Sequence, residues 1–290
     1  MQFAISDPHS LRLFADDTSK FNHDKDLKTL ISKSKAMLEK LKLWFNCNKL
    51  TLNIDKSSYV IFHNRNKKIC SYANEIKIGD QVIKRQESAK YIGMILDEKL
   101  TWNEHVNMII RKIVKFFGIF NNMKSYVSSR LARQLYFAFI FPHIKYGIEV
   151  YGATSLKNIK RLQVIQNKLL KLLLNKNRLT PTNTIHKENN LLKVNDIHNL
   201  YTSLFVRDSI YKETLPLFWD YFPSRINIHN HNTRTRHFLQ IPRTRTKLAT
   251  TSVKYQGATI WNTIKDTAKL SKTRNSFKRH LTNDLLNTYI

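Results

Sequence analysis

Two cysteines, Cys47 and Cys70, are all that 290 residues contain, which excludes a disulfide scaffold and any Cys-rich zinc module. Glycine and proline are scarce too, six of each, and this argues against a Gly/Pro-punctuated all-β sandwich and against a linker-rich chain. No apolar run is long. The longest, near Leu135 to Pro142, falls far short of the roughly 20 residues that span a bilayer. The first residues show no basic stretch followed by an apolar one, so no signal peptide is visible there. No repeat recurs at solenoid periods, and no Gly-rich loop of the phosphate-cradling kind occurs.

Negative charge is also short. Asp and Glu number 21 against 49 Lys and Arg, a net of +28. A field of that size implies a polyanionic partner. The imbalance is not uniform. Residues 1–104 hold 18 basic and 13 acidic side chains, whereas residues 105–290 hold 31 and 8. Chemistry that needs carboxylates therefore belongs to the first third, and polyanion grip to the rest.

Hydrophobic periodicity predicts an α+β chain. Leu11 to Phe14 alternates into a turn at Asp16-Asp17-Thr18 and reads as a short strand. Leu27, Leu30, Ile31, Leu38, Leu41 and Phe45 recur every three or four residues and predict an amphipathic helix from about Lys25 to Asn46. Ser58 to His63 and Lys90 to Leu96 read as strands. Glu75 to Arg85, with Gly79-Asp80 at its centre, reads as a hairpin. After Trp102 the pattern becomes helical. The predicted stripes are Val106, Ile109, Ile110, Ile113, Phe117 and Phe120; then Leu131, Leu135 and Phe139; then Ile159, Leu162, Ile165, Leu169 and Leu172. Between His105 and Lys187 stand 15 Lys or Arg and one acid, Glu149, so the faces turned away from the core are cationic. Residues 175–190 and 221–265 read as loop or irregular chain, and a last helix is predicted near Ser276 to Leu286.

The pair Asp16-Asp17 is the strongest candidate for chemistry. In phosphoryl transfer, carboxylates on a tight turn hold two divalent metals about 3.5–4 Å apart. A solvated turn or a helix cap near Thr18 would use the same residues. His229, His231 and His237 cluster without a cysteine or an acid beside them, so a zinc site is not expected there.

The pair lies within LFADDT (13–18), which resembles motif C of reverse transcriptases. LTLNIDKSSYVIFH (50–63) resembles motif D of non-LTR retrotransposon polymerases. AKYIGMILDEKLTWNEH (89–105) resembles motif E, the primer grip, and the run into the thumb. FPHIKYGIEVYG (141–152), VKYQGATIWNTI (253–264) and SFKRHL (276–281) are similar to the C-terminal part of Jockey- and CR1-like element proteins. Organellar intron maturases share motif C and a basic thumb but fit the C-terminal strings less well.

This resemblance implies a partial palm of antiparallel sheet plus helix over 1–104 with motifs C, D and E. It further implies a basic helical thumb over 105–174 and a basic C-terminal region over 175–290. Asp16 and Asp17 would be catalytic metal ligands for Mg²⁺. Lys56 would protonate the leaving pyrophosphate, or else is a solvated turn lysine. Tyr91, Ile92 and Gly93 would form the primer grip, with Gly93 admitting the primer backbone, or else supplying a small residue in a core strand. Arg111, Lys112, Lys115, Lys160, Arg161, Lys168 and Lys171 would meet nucleic acid, an RNA template with a DNA primer or their duplex. No membrane partner is expected, and the family implies nucleus or cytoplasm. Motifs A and B are missing, and with them the third catalytic carboxylate and the nucleotide pocket. The chain is therefore expected to be truncated before motif C, to bind Mg²⁺ poorly and to be inactive alone.

Overall fold

A computed structural model of the chain describes residues 11–15, 17–64, 67, 69–70, 73–227 and 235–289. It divides into two compact units, Met1–Leu100 and Thr101–Ile290. The architecture is α+β, and among the described residues the six strands all lie in the first unit.

The first unit is built around one helix, α1 (Leu27–Cys47). Asp26 starts it: its carboxylate accepts from the Thr29 backbone N–H at 2.8 Å and from the Thr29 hydroxyl at 2.9 Å. Those bonds satisfy otherwise orphaned donors at the helix start. The predicted stripe faces inward, against β1 and the β3–β4 ladder, and the described strands form three separate two-stranded ladders rather than a continuous sheet. Strands β1 (Leu11–Phe14) and β2 (Asp17–Lys20) pair antiparallel with Phe14 opposite Asp17. Leu11 is buried on Leu41, Met37, Leu38 and Phe45. Strands β3 (Glu75–Ile78) and β4 (Gln81–Lys84) turn at Gly79-Asp80, as predicted. Gly79 has φ +61°, a backbone angle that costs glycine little. Ile76, Ile78 and Ile83 bury against Ile31 and Leu38 of α1.

Two strand expectations need correction. Residues 58–63 form no strand; Tyr59 makes one isolated bridge to Arg85. Residues 90–96 are not one strand but the two arms of a hairpin, β5 (Ser88–Tyr91) and β6 (Met94–Asp97). Ile92 and Gly93 reverse the chain with φ +43° and +76°. Positive φ at both central residues suits the right-handed twist of a two-residue hairpin. The apolar pattern runs unbroken through this turn, which is why it reads as a single strand.

The second unit is helical: α2 (Asn103–Val114), α3 (Phe116–Met123), α4 (Ser129–Leu135), a π-helix over Tyr136–Ile140, α5 (Phe141–Lys145), α6 (Ile148–Tyr151), α7 (Leu156–Leu173), α8 (Thr182–Glu188), α9 (Val194–Ile210), α10 (Lys247–Thr250), α11 (Val253–Thr263), α12 (Asp266–Lys269) and α13 (Arg274–Asn287). Helix α9 is the hub and packs on α5, α6, α7, α11 and α13, so helices before and after residue 174 share one core. Val194, Ile197, Leu200, Leu204 and Val206 are buried, and so are Thr202, Ser203 and Arg207 on its other sides. A helix surrounded by neighbours needs no polar face.

Two glycines let helices approach α9. A Cβ on Gly152 would collide with the His198 ring and the Ile148 carbonyl. A Cβ on Gly257 would stand 2.7 Å from Phe222 and 2.8 Å from Val206. At the chain's end Tyr289 caps α9: its hydroxyl accepts from the Lys193 N–H at 2.9 Å and donates to Asp196 at 2.5 Å.

The stripe Leu131, Leu135 and Phe139 is a second correction. The buried residues are Ala132, Tyr136, Ile140, Ile144 and Ile148, spaced by four, while Leu131 and Phe139 are 39% and 45% exposed. A four-residue spacing drifts by about 40° per step on an ideal α-helix. The wider π-helical turn at 136–140 offsets that drift and keeps the ladder facing inward. Segments 175–190 and 221–265 are likewise not wholly irregular, since they contain α8 and then α10 and α11. The side chains of Thr246, Ser252 and Thr273 accept from the third residue of α10, α11 and α13, so each helix starts on a local cap.

Candidate nucleic-acid interface

In the first unit the candidate residues lie on two hairpins and a turn. Asp16 lies outside the described residues. Asp17 opens β2, exposed, opposite Phe14. Lys56 sits exposed in a turn over residues 54–56, where its backbone N–H donates to Asn53 Oδ1 at 3.1 Å and the Ser57 hydroxyl donates to the Asn53 carbonyl at 2.7 Å. Tyr91, Ile92 and Gly93 form the β5–β6 tip. The two hairpins meet through Phe21, which follows β2, and Tyr91: their rings pack edge to face at 5.7 Å.

Beside them sits an ion cluster that the sequence does not announce. Glu98 takes Arg85 at 2.5 Å and Lys99 at 3.3 Å, with His63 at 3.4 Å. Burial pushes the Glu98 carboxyl up, but the bonds from Lys99 and Arg85 outweigh it and hold the group below its ordinary value. Among the described residues no group of three or more His, Cys, Asp or Glu could hold a metal ion. Asp17 is the one described carboxylate of the predicted pair. A two-metal centre needs more hard oxygen ligands than that, so the described residues do not fit one. His229 and His231 lie outside the described residues, and His237 packs its ring on Phe238 at 4.9 Å.

In the second unit, the candidate cations fall on two packed helices. Arg111, Lys112 and Lys115 are exposed on α2 and at its end. Lys160, Arg161 and Lys168 are exposed on α7, and Lys171 is half-buried, donating to the Arg178 carbonyl at 2.5 Å. The helices are joined at this face: Arg161 donates to Asn107 Oδ1 at 2.6 Å. Between them runs an open groove of about 650 Å³ floored by Ile110, Val164 and Ile165 and edged by Lys157, Lys160 and Arg161. Burial with few partners would cost a charge dearly, and these cations avoid it by standing in solvent. What the arrangement can do is present exposed positive charge from two packed helices to a polyanion.

The histidines of the second unit play a different part. His105, His186 and His198 are buried, and burial pushes each down to about 4, so they are neutral core groups at pH 7. The sequence gives little sign of this because the three stand among polar neighbours. It also fails to mark the aromatic cluster of Phe116, Phe120, Phe139 and His143, whose members come from α3, the π-helix and α5.

The chain is 30% identical over 135 residues to the probable RNA-directed DNA polymerase from transposon X-element of Drosophila melanogaster, covering 45% of this chain and 15% of that protein. It is 24% identical over 161 residues to the RNA-directed DNA polymerase from mobile element jockey of the same fly, covering 54% and 17%. The corresponding protein of transposon BS matches at 26% over 133 residues. The chain is similar in sequence to the RNA-directed DNA polymerases of non-LTR retrotransposons. The matches span about a sixth of those proteins' length. No family model matches the chain, and no solved structure matches it. Among the described residues no helix is long and apolar enough to cross a membrane.

Proposed function

We propose that this chain is the nucleic-acid-gripping part of a non-LTR retrotransposon reverse transcriptase. In this reading residues 1–104 are a partial palm, 105–174 the thumb and 175–290 a basic C-terminal region. Together they hold an RNA template with a DNA primer, or the RNA–DNA duplex. The observation that carries the reading is the set of exposed cations on α2 and α7, with one acid, Glu149, between His105 and Lys187.

The parent reaction is addition of deoxynucleotides to a primer 3′-OH, for which Mg²⁺ supplies charge neutralisation at the attacking and leaving oxygens. No step is assigned to the metal here, because the described carboxylates do not fit it. What this chain's own residues do is bind and orient. Arg111, Lys112, Lys115, Lys160, Arg161 and Lys168 pair with phosphates. The rigid hairpins of Asp17 and of Tyr91, Ile92 and Gly93 approach the primer end. Acting alone, the chain is a non-enzymatic binding protein for RNA or RNA–DNA duplex.

The test is fluorescence anisotropy of the 290-residue chain with labelled RNA–DNA duplex, read beside primer extension in Mg²⁺. Binding without extension is expected. Failure to bind would sink the grip; extension would show a complete catalytic centre.

A further inference from the structure

The aromatic cluster on the second unit is at odds with a purely structural role. Phe139 belongs to the π-helix whose Tyr136 and Ile140 are fully buried, yet it is itself 45% exposed. The wide turn aims the inward ladder at the core and leaves Phe139 at its edge, half in solvent. Its ring lies 5.5 Å from Phe116 and 6.5 Å from the buried Phe120, while Phe116 lies 6.3 Å from the ring of His143. Phe116 and Phe120 are themselves stacked, with planes 21° apart. Burial, and then the charge of Lys112, lower the His143 imidazole below its ordinary value, so it is an uncharged aromatic ring at neutral pH.

Cations flank these rings. Lys112 stands one helical turn before Phe116, and Lys115 directly precedes it; both are exposed. We propose that Phe139, backed by Phe116 and His143 and flanked by Lys112 and Lys115, is a stacking site for an unpaired nucleobase of a single-stranded nucleic acid. Two features select this occupant. The surrounding charge is of one sign, so the partner carries phosphates. Phe139 is exposed and Phe116 and His143 are half-buried, so the cluster keeps apolar ring surface in solvent, which a duplex cannot use because its own base faces are covered, whereas an unpaired base can stack on it. The inference rests on the nucleic-acid reading above and narrows it to a strand that is locally single.

The test uses the full chain and three labelled ligands: an oligoadenylate, an abasic oligomer of the same length, and an RNA–DNA duplex. Phe139→Ala should weaken oligoadenylate binding about fivefold or more and leave the other two ligands unchanged. Phe139→Leu keeps the apolar bulk without the aromatic face and should lose affinity in the same way, with its unfolding midpoint close to that of the parent. Phe139→Trp should bind oligoadenylate as well as the parent, with its indole emission quenched by that ligand and not by the abasic oligomer. Equal losses on all three ligands, or none on oligoadenylate, would overturn the stacking site while leaving the electrostatic grip standing. A parent chain that binds none of the three would overturn the grip and the stacking site together.

Discussion

Phe21 and Tyr91 stand 70 positions apart in the chain, yet their rings meet edge to face with planes at 83°. Phe21 directly follows the hairpin of Asp17, and Tyr91 closes the first arm of the hairpin turned by Ile92 and Gly93. Such a pair adds about 0.5–1.5 kcal/mol beyond the area it buries. In the proposed function this contact fixes the spacing between the carboxylate hairpin and the primer-grip hairpin, with no hydrogen-bonded sheet joining them.

The β5–β6 hairpin carries strain that can be measured. Ile92 is β-branched and sits at φ +43°, where asparagine or glycine is usual. Backbone strain of this kind costs about 1–3 kcal/mol. Ile92→Asn should therefore raise the urea midpoint, by about 1 kcal/mol in stability. A lower midpoint would mean that packing of the Ile92 side chain outweighs the strain.

How much of this was legible depends on how local each signal is. The α1 stripe and the Gly79-Asp80 turn were readable because 3.6-residue periodicity and a turn pair are written in neighbouring residues. The ladder Ala132, Tyr136, Ile140 was misread because a π-helical turn changes the period within one helix, and nothing in the composition marks it. Helix α9 was passed over because a fully enclosed helix has no polar face to set its phase. The cationic residues of α2 and α7 were legible individually, but the groove between them comes only from packing, as does the Phe139 cluster. Asp16 was nameable from its string and lies outside the described residues.

Helix approach in the second unit predicts a sharp size limit. Gly152→Ala places a methyl group into the His198 ring and the Ile148 carbonyl, and the carbonyl is backbone that cannot swing aside. Overpacking of this kind typically costs about 1–3 kcal/mol. Urea unfolding should show a loss at or above the upper end of that range, whereas Gly118→Ala, exposed in α3 with open space around it, should gain about 0.5–1 kcal/mol. Equal effects at the two positions would contradict the close approach of α6 to α9.

Acid should destabilise the second unit in a defined window. His105, His186 and His198 are held near 4 in the folded chain against an ordinary 6.5. Their folded values are depressed, so the stability they protect is present above about 6.5 and is lost as pH falls towards 4. Three protons taken up on unfolding give a slope of at most about 4 kcal/mol per pH unit. Asp196 and Glu149, whose carboxyls burial raises, act in the opposite sense and reduce the net slope. The urea midpoint should fall between pH 6.5 and 4, and His198→Gln should flatten the fall. A midpoint independent of pH in that range would show the histidines to be accessible.

Catalysis should depend on parts supplied from elsewhere. The chain alone should extend no primer in Mg²⁺, and Asp16→Ala should change nothing measurable. Fused behind a segment carrying motifs A and B of a related polymerase, it should support extension that Asp16→Ala abolishes. Extension by the unfused chain, lost on Asp16→Ala, would show that a third ligand comes from within these 290 residues.

The salt dependence of binding tests the central claim most directly. Six exposed cations, Arg111, Lys112 and Lys115 on α2 and at its end and Lys160, Arg161 and Lys168 on α7, make up the proposed grip. If about six phosphates are neutralised, log K should fall against log salt with a slope near −4 to −5 on an RNA–DNA duplex. Reversing Lys160 and Lys168 to Glu should cut affinity by roughly tenfold and flatten the slope by about two, with the melting curve preserved because both side chains stand in solvent. A slope near zero, or an unchanged slope in the double variant, would contradict a nucleic-acid grip through these cations.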